Sequence, residues 1–314
     1  MQPSDRIARR MKLHDLHILM AVVQAGSMNK AAAVLNMTQP AVSRSIAELE
    51  RTVGVSLLDR NARGVEPTAY GRALLGGGTA VFDDLRQALK DIEFLADPTA
   101  GEVRIGCSSI LATSFVSAVI ERLSQRYPKV VFHFVIASIE VLHHELSERN
   151  VDVVIAQRLG PIADERLDFE FVFDTSYVVA AGAQNPWVRR RRISLAELVN
   201  ESWTLPPRTS ALGSIATEAF RASGLDYPST TAFVLPTEVR INMLMTGRRL
   251  TILADFALRF PAWRSEIKVL PVALPLDRVQ VGIVTLKNRT LSPVVRLFIE
   301  AAHEVAKPLA KGKR

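Results

Sequence analysis

The chain has little of what stabilises secreted or membrane-embedded proteins. Cys107 is the single cysteine among 314 residues, which excludes a framework of internal disulfides and is typical of a reducing compartment. No apolar run approaches the roughly 18 residues of a membrane-spanning helix. The first residues, MQPSDRIARRMK, are charged where a signal peptide carries its apolar core. We therefore expect a cytoplasmic protein without a membrane partner.

The sequence also lacks the residue groupings that catalysis and metal binding need. His14 and His17 share a helical face, and His143 and His144 are adjacent, but neither pair has a third metal ligand nearby. The run of three glycines at 76–78 is followed by no Gly-Lys-Ser/Thr, so a phosphate-binding loop is not indicated. Close packing against a partner helix is the simpler interpretation of that run. We expect neither an enzyme nor a metalloprotein, and no cofactor.

The charge balance, in contrast, favours a polyanionic partner. The formal net charge is +7 and the isoelectric point is near 9.8, in a chain that is otherwise of ordinary globular composition. Such a charge is consistent with nucleic-acid binding but does not establish it. At this length the chain suits two or three domains with substantial cores.

The N-terminal region has the pattern of a winged helix-turn-helix. LHDLHILMAVVQA (13–25) has helical spacing of apolar residues, and NKAAAVLN (29–36) and the stretch from residue 39 to 53 predict two more helices joined by a short turn. GVSLLDRNARGVEPT then predicts a β-hairpin wing whose tip carries Arg60, Asn61 and Arg63.

The third helix has an outer face suited to a narrow groove. Val42, Ile46 and Leu49 form its apolar stripe, and the polar side begins with four small or hydrogen-bonding residues. These four are Gln39, Pro40, Ser43 and Arg44. Gln and Arg side chains can hydrogen-bond base edges in the major groove, whereas Glu48 and Glu50 would be repelled by phosphates and mark where the helix leaves it. The alternative is an ordinary amphipathic helix with a solvated face.

The rest of the chain predicts a linker helix and an α/β domain. Thr68 is expected to cap a helix to about Leu95, in which Leu74, Val81, Ala88 and Leu95 recur every seven residues and so favour pairing with another helix. After a hinge at 97–101, strands alternate with helices, and FEFVFDTSYVVAA (169–181) continues the series. We predict an α/β fold with domains at 1–68, 69–97 and 98–314, the last as two lobes around a cleft.

Residues 13–75 resemble the LysR-type transcriptional regulators. The resemblance rests on the GS-x-x-x-AA element at 26–32, TQPAVS at 38–43, VGVSLLDR at 53–60 and the Thr-x-x-Gly linker start at 68–71. It implies a DNA-binding transcription regulator in which Gln39, Pro40, Ser43 and Arg44 read the major groove. Arg60 and Arg63 would hold the backbone or minor groove. It also implies a homodimer or homotetramer on an interrupted inverted repeat of double-stranded DNA, with RNA polymerase as a further partner.

The same resemblance implies a C-terminal domain similar to periplasmic solute-binding proteins, which senses a small molecule. The implied effector-binding residues follow the first strands of each lobe. They are Ser108, Ser109, Ser138, Pro206 and Arg208. From the residues alone, Ser108 and Ser109 are as consistent with simple helix capping, and Arg208 with an exposed loop. Cys107 fits a buried strand end better than a redox sensor.

One alternative of another class remains at this point. The chain would then be an enzyme or a transport-binding protein with an incidental N-terminal helical domain. Turnover of a small metabolite by the purified protein would favour that alternative, whereas salt-dependent binding to an inverted repeat would favour a transcription regulator.

Overall fold

A computed structural model of the chain describes residues 7, 9–61, 64–162, 164–229 and 231–310, without the side chains of Arg60, Thr231 and Ala262. The chain divides into two compact units between Ala88 and Leu89. None of the helices in these ranges combines the length and the apolar character needed to cross a bilayer.

The first unit contains three helices, a hairpin and the beginning of a long helix. In chain order these are α1 (Leu13–Ala25), α2 (Met28–Val34), α3 (Gln39–Val53), β1 (Leu58–Asn61), β2 (Gly64–Pro67) and α4 (Ala69–Ala96). The apolar stripes of the first three helices form one buried core. The strands pair antiparallel. These are the elements that the helical spacing and the turn residues predict.

Left-handed backbone conformations set the two helix-to-helix turns. Gly26 ends α1 with a φ of 65°, and its N–H donates to the Val23 carbonyl. Asn36 has a φ of 53° in the turn between α2 and α3. Asparagine is among the few side-chain-bearing residues that tolerate this region, so the sequence LNMTQP itself favours a tight turn there.

The second unit begins with the last part of α4 and is built on two five-stranded sheets. The strands of the first sheet, in spatial order, are β4 (Lys129–Ile136), β3 (Ala100–Cys107), β5 (Val153–Gln157), β12 (Val279–Leu286) and β6 (Leu167–Thr175). Those of the second are β11 (Ile267–Val269), β7 (Tyr177–Gly182), β10 (Leu250–Ala254), β8 (Trp203–Leu205) and β9 (Thr231–Phe233). Each sheet mixes parallel and antiparallel pairs and defines one lobe.

Helices cover the sheets. Those of the first lobe are α5 (109–126, in the segments Ser109–Leu111, Ala112–Val116 and Ser117–Arg126), α6 (Ile139–Ser147) and α10 (Pro293–Ala310). Those of the second are α7 (Ala211–Ala222), α8 (Thr237–Met245) and α9 (Pro261–Arg264). On β5, Ile155 belongs to the core that includes α5 and α10, while Val154 faces the cluster containing α6. Cover on both faces explains why β5 is continuously apolar.

The stretch 169–181 is not one strand. It divides at Ser176 into β6 and β7, which belong to different sheets, so the chain passes from one lobe to the other there. Thr175 Oγ1 and the Ser176 N–H both donate to Asp255 Oδ1, at 2.8 and 3.2 Å. These hydrogen bonds to Asp255 fix the position where the chain crosses between the lobes. The spacing of apolar residues in the sequence does not predict that position.

Candidate functional site

Helix α3 presents one buried and one exposed face. Val42 and Ile46 are fully buried in the core of the first unit. Gln39, Pro40 and Arg44 are exposed at the beginning of the helix, and Ser43 is half-buried. Pro40 lies in the first turn, where the missing N–H has no intrahelical acceptor in any case. The structure therefore brings the four predicted DNA-reading residues together on one short edge.

Glu50 has a different role from the one predicted. Its Oε1 accepts hydrogen bonds from the backbone N–H groups of Leu57 and Leu58, at 2.7 and 3.3 Å. The carboxylate thus connects the end of α3 to the segment that begins the wing, instead of lying free on the outer face where the helix leaves the groove. Only Glu48, which is exposed, keeps the predicted position on the outer face.

The wing is attached to the end of α1. The Val65 N–H donates to the Gly26 carbonyl at 3.1 Å. Gly64 has a φ of 133°, and a Cβ there would lie 2.6 Å from the same carbonyl oxygen, so only glycine fits. The Arg60 backbone pairs with Val65. The side chain of Arg60 and all of Arg63 lie outside the described residues, and their contact with DNA stays a prediction.

The Thr-x-x-Gly sequence at the beginning of α4 has a packing explanation. Thr68 Oγ1 accepts from the Gly71 N–H at 3.0 Å and donates to the Ser56 carbonyl at 2.8 Å. A Cβ on Gly71 would lie 2.1 Å from the Leu57 carbonyl oxygen. The threonine caps the helix, and the glycine lets the helix approach the segment before the wing.

Further along α4, buried glycines and exposed apolar residues form two groups, and Val81 and Leu95 of the predicted seven-residue repeat belong to the exposed group. Gly71 and Gly78 are buried, and a Cβ on Gly78 would lie 3.0 Å from Leu16 Cδ1. Beyond them the helix exposes an apolar stripe at spacings of three and four residues. This exposed stripe consists of Val81, Leu85, Leu89, Ile92 and Leu95. The first group packs on the chain itself, whereas the stripe is open.

In the second unit, the cleft between the two lobes is nearly closed. Its inner cavity has a volume of about 10 Å³, which is the space of about one water molecule. Ile110 and Gln157 line it from the first lobe. The second lobe contributes Tyr177, Pro206, Leu212, Ala216, Thr237, Arg240, Ile252, Leu253 and Ala254. Gln157 Nε2 donates to Tyr177 Oη at 2.9 Å across the cleft.

The structure gathers only some of the predicted effector-binding residues at this cavity. Pro206 lines it, and Ser108 and Ser109 precede Ile110, which also lines it. The Ser108 hydroxyl makes no capping bond and is buried without a hydrogen-bond partner. Arg208 instead stacks on the Tyr227 ring, 3.9 Å from its centroid.

Ser138 lies beside a second, outer cavity. The Glu140 backbone N–H and the Ser138 hydroxyl donate to the Glu140 carboxylate and lower its pKa. Ile139, Glu140 and His143 line this cavity, which has a volume of about 270 Å³ and reaches Ala211 of the second lobe. Burial lowers the pKa of His143, which favours its neutral form. Ser138 is not among the residues that line the inner cavity, although Gln157 lines both cavities.

Arg240 was not predicted as a site residue. Arg240 lines the inner cavity, only 3% of the residue is exposed, and Nη2 donates to Thr237 Oγ1 at 3.0 Å. Burial lowers the pKa of Arg240 to about 10, so it stays charged at neutral pH. A signal did exist: Arg240 shares the buried face of α8 with Thr237 and Leu244 at helical spacing.

Reactive-thiol and metal chemistry have no basis in the described residues. Cys107 is fully buried at the end of β3, and burial raises the pKa of its thiol to about 12. A thiol that is neutral and inaccessible is a poor nucleophile. Within the described ranges, no group of three or more His, Cys, Asp or Glu side chains could hold a metal ion.

Two family models match the chain. Residues 13–72 match the bacterial regulatory helix-turn-helix protein, lysR family, and residues 96–307 match the LysR substrate binding domain. The transcriptional regulator GbpR of Azospirillum brasilense is 26% identical over 293 residues, which are 93% of this chain and 86% of that protein.

Solved structures show the same fold. Full-length OxyR from Pseudomonas aeruginosa is 18% identical, with a TM-score of 0.68 over 97% of this chain and 99% of that one. Full-length CbnR complexed with its target DNA is 20% identical, with a TM-score of 0.54 over 95% and 100%. The two family models span most of the chain, and the relatives are named as transcriptional regulators and not as enzymes. The chain therefore belongs to the LysR family of transcription regulators, which bind DNA and a small-molecule effector and are oligomeric.

Proposed function

We propose that this regulator reads its operator with the beginning of α3. Gln39, Pro40, Ser43 and Arg44 enter the major groove, and Arg60 and Arg63 of the wing contact the sugar-phosphate backbone or the minor groove. The observation that carries the proposal is the exposed edge at the beginning of α3, which projects from a helix whose other face is fixed in the core. The complex of CbnR with its target DNA supports DNA binding as the role of this domain.

The proposal extends to the assembly. The exposed apolar stripe of α4 pairs with the same stripe of a second copy, giving a homodimer, and two dimers form a homotetramer. Because a two-fold symmetric protein matches a two-fold symmetric site, the operator is an interrupted inverted repeat. Bound at a promoter in the cytoplasm, the protein has RNA polymerase as a further partner.

The effector site proposed here is the cleft of the second unit. Pro206 at the inner cavity, the unpartnered hydroxyl of Ser108 and the neighbouring Ser109 support it. Ser138 beside the outer cavity and Arg208 on the Tyr227 ring complete the proposed set. The ligand acts on its own, and no cofactor takes part. A compound that binds the folded protein raises its Tm.

The decisive experiment is a DNA titration with Arg44→Ala. The operator is first selected from random DNA by the wild-type protein, and affinities are then measured by anisotropy for the operator and for a scrambled duplex. Loss of one bidentate base contact costs about 1–3 kcal/mol on the operator and leaves scrambled DNA nearly unaffected.

Arg86→Ala is the matched control, because Arg86 is an exposed arginine on α4 whose loss removes the same charge. It should weaken operator and scrambled DNA equally, if at all. Unchanged operator specificity in Arg44→Ala would refute the proposed reading edge.

A further inference from the structure

Arg240 is a buried cation that forms no salt bridge with a carboxylate in the described part of the chain, although the charge of Glu238 acts on it from a longer distance. Its Nε is buried and has no hydrogen-bond partner, and no carboxylate of the described residues forms a salt bridge with it. A buried charge is costly unless it is paired and hydrogen-bonded. An anion bound in the cavity would pair with the charge of Arg240 and so remove this cost.

Two other unpartnered polar atoms belong to the same region. The Ser108 Oγ is buried without a hydrogen-bond partner, and Ser108 lies two residues before Ile110, which lines the cavity. The Tyr227 hydroxyl is buried without a partner. Burial raises the pKa of Tyr227, and the charges of Arg208 and Arg240 partly offset that effect, which places both arginines near it. Arg240 Nε and these two hydroxyls are therefore all open to a hydrogen bond with a ligand.

The remaining wall of the inner cavity is mostly apolar. Ile110, Leu212, Ala216, Ile252 and Leu253 face it. Such a wall favours a ligand with an apolar body, and the single guanidinium favours one anionic group on that body. Since the cavity holds about 10 Å³ as it stands, such a ligand enters by opening the cleft, in which the Gln157–Tyr177 hydrogen bond joins the two lobes.

We infer that the effector is a small organic monocarboxylate whose carboxylate binds Arg240 and whose apolar body lies between the two lobes. This inference rests on the proposed effector site and adds its chemical class and its anchoring residue. A guanidinium can bind both carboxylate oxygens at once, which fixes the orientation of the ligand.

The test is a thermal-shift comparison on the full-length protein. The probes are butyrate, benzoate and other short monocarboxylates at saturating millimolar concentration, each beside its own amide, with inorganic phosphate as a further anion. At least one acid should raise the Tm of the wild type, while its amide and phosphate should not. If no acid raises the Tm, or if an amide is as effective as its acid, the inference is overturned.

Two variants locate the contact. Arg240→Met should reduce the affinity for the active acid by roughly thirtyfold or more, because it removes one partner of a buried charge pair. Arg248→Met is the matched control, since Arg248 is an exposed arginine of the same lobe, and it should retain the wild-type affinity. An unchanged affinity in Arg240→Met overturns the inference.

Operator binding keeps this test separate from that of the proposed function. Without acid, Arg240→Met should fold and bind the operator, because a buried charge without a salt-bridge partner is costly and Met is an apolar side chain of similar length. If the wild type binds no operator, the proposed function fails. If it binds the operator but does not distinguish acids from amides, only the inference about Arg240 fails.

Discussion

The Arg289 guanidinium donates to Asp152 Oδ1 at 2.9 Å in the interior of the first lobe, where both side chains are almost fully buried. Arg104 donates to the same carboxylate at 2.6 Å. Burial raises the pKa of Asp152, but the hydrogen bonds and the charge of Arg104 outweigh it, and the resulting pKa is below the ordinary value. The contrast with Arg240 is direct, since Arg289 forms a salt bridge with a buried carboxylate, whereas Arg240 forms none with any of the residues that the structure describes.

Asp152→Asn should destabilise the protein by about 3–5 kcal/mol, because it leaves buried arginine charge uncompensated. Urea unfolding of the full-length protein measures the loss. Glu218→Gln, which removes an exposed partner of Arg221, should leave the midpoint unchanged.

The folded-state pKa of Asp152 is lowered. The contribution of its carboxylate to stability is therefore present at neutral pH and is lost as the pH falls through that pKa. Equal midpoints for wild type and Asp152→Asn would contradict the structural role.

Two glycines of α4 should respond oppositely to alanine. Gly76 has open space around its Cβ position, and it lies roughly 160° around the helix from the buried Gly78. Gly76→Ala should therefore stabilise the protein by about 0.5–1 kcal/mol. Gly71→Ala should destabilise it, because the new Cβ would meet the Leu57 carbonyl oxygen at 2.1 Å. Thermal unfolding of both variants measures these changes in stability. A stabilised Gly71→Ala would show that α4 does not approach the segment before the wing as described.

Cys107 should be inert in the native protein. With its pKa raised to about 12 by burial, it should not react with a thiol reagent at neutral pH and should react fully after unfolding. The unfolded thiol ionises near pH 9, so the unfolded state releases a proton that the folded state keeps, and stability falls as the pH rises above 9. Cys107→Ala should reduce this alkaline loss. Rapid labelling of the native protein would argue for the redox role that burial disfavours.

The open stripe of α4 should control self-association. Leu85→Glu and Ile92→Glu place charges on it and should shift the protein toward a monomer in light scattering at equal concentration. Ala73→Glu is the control, because Ala73 is exposed and lies about 120° around the helix from Leu85. If Ala73→Glu dissociates the protein as strongly as the stripe variants, pairing does not depend on this face.

Much of the first unit could be predicted because its signals are local. The helical spacing in α1 and α3, the Gly26 and Asn36 turns and the hairpin depend on residues within a few positions of one another. The exposed edge at Gln39 and Arg44 follows from the same periodicity. The hydrogen bonds of Glu50 were not predicted, because its partners, Leu57 and Leu58, lie beyond the end of the helix. The residue type alone does not distinguish a hydrogen-bonded carboxylate from a solvated one.

The sequence by itself determined the elements of the first unit, the exposed edge at the beginning of α3 and the family, because each follows from residue spacing along the chain. The tertiary structure decided which polar groups have partners. Asp152 bonds Arg289 from 137 positions away. The chain crosses between the lobes at Ser176, beside Asp255, and Arg240 has no salt bridge among the described residues. Whether a buried polar group has a partner depends on which distant segments pack together in the low-dielectric interior, where an unpaired charge is costly and a paired one is not. Residue spacing along the chain does not show which distant segments pack together.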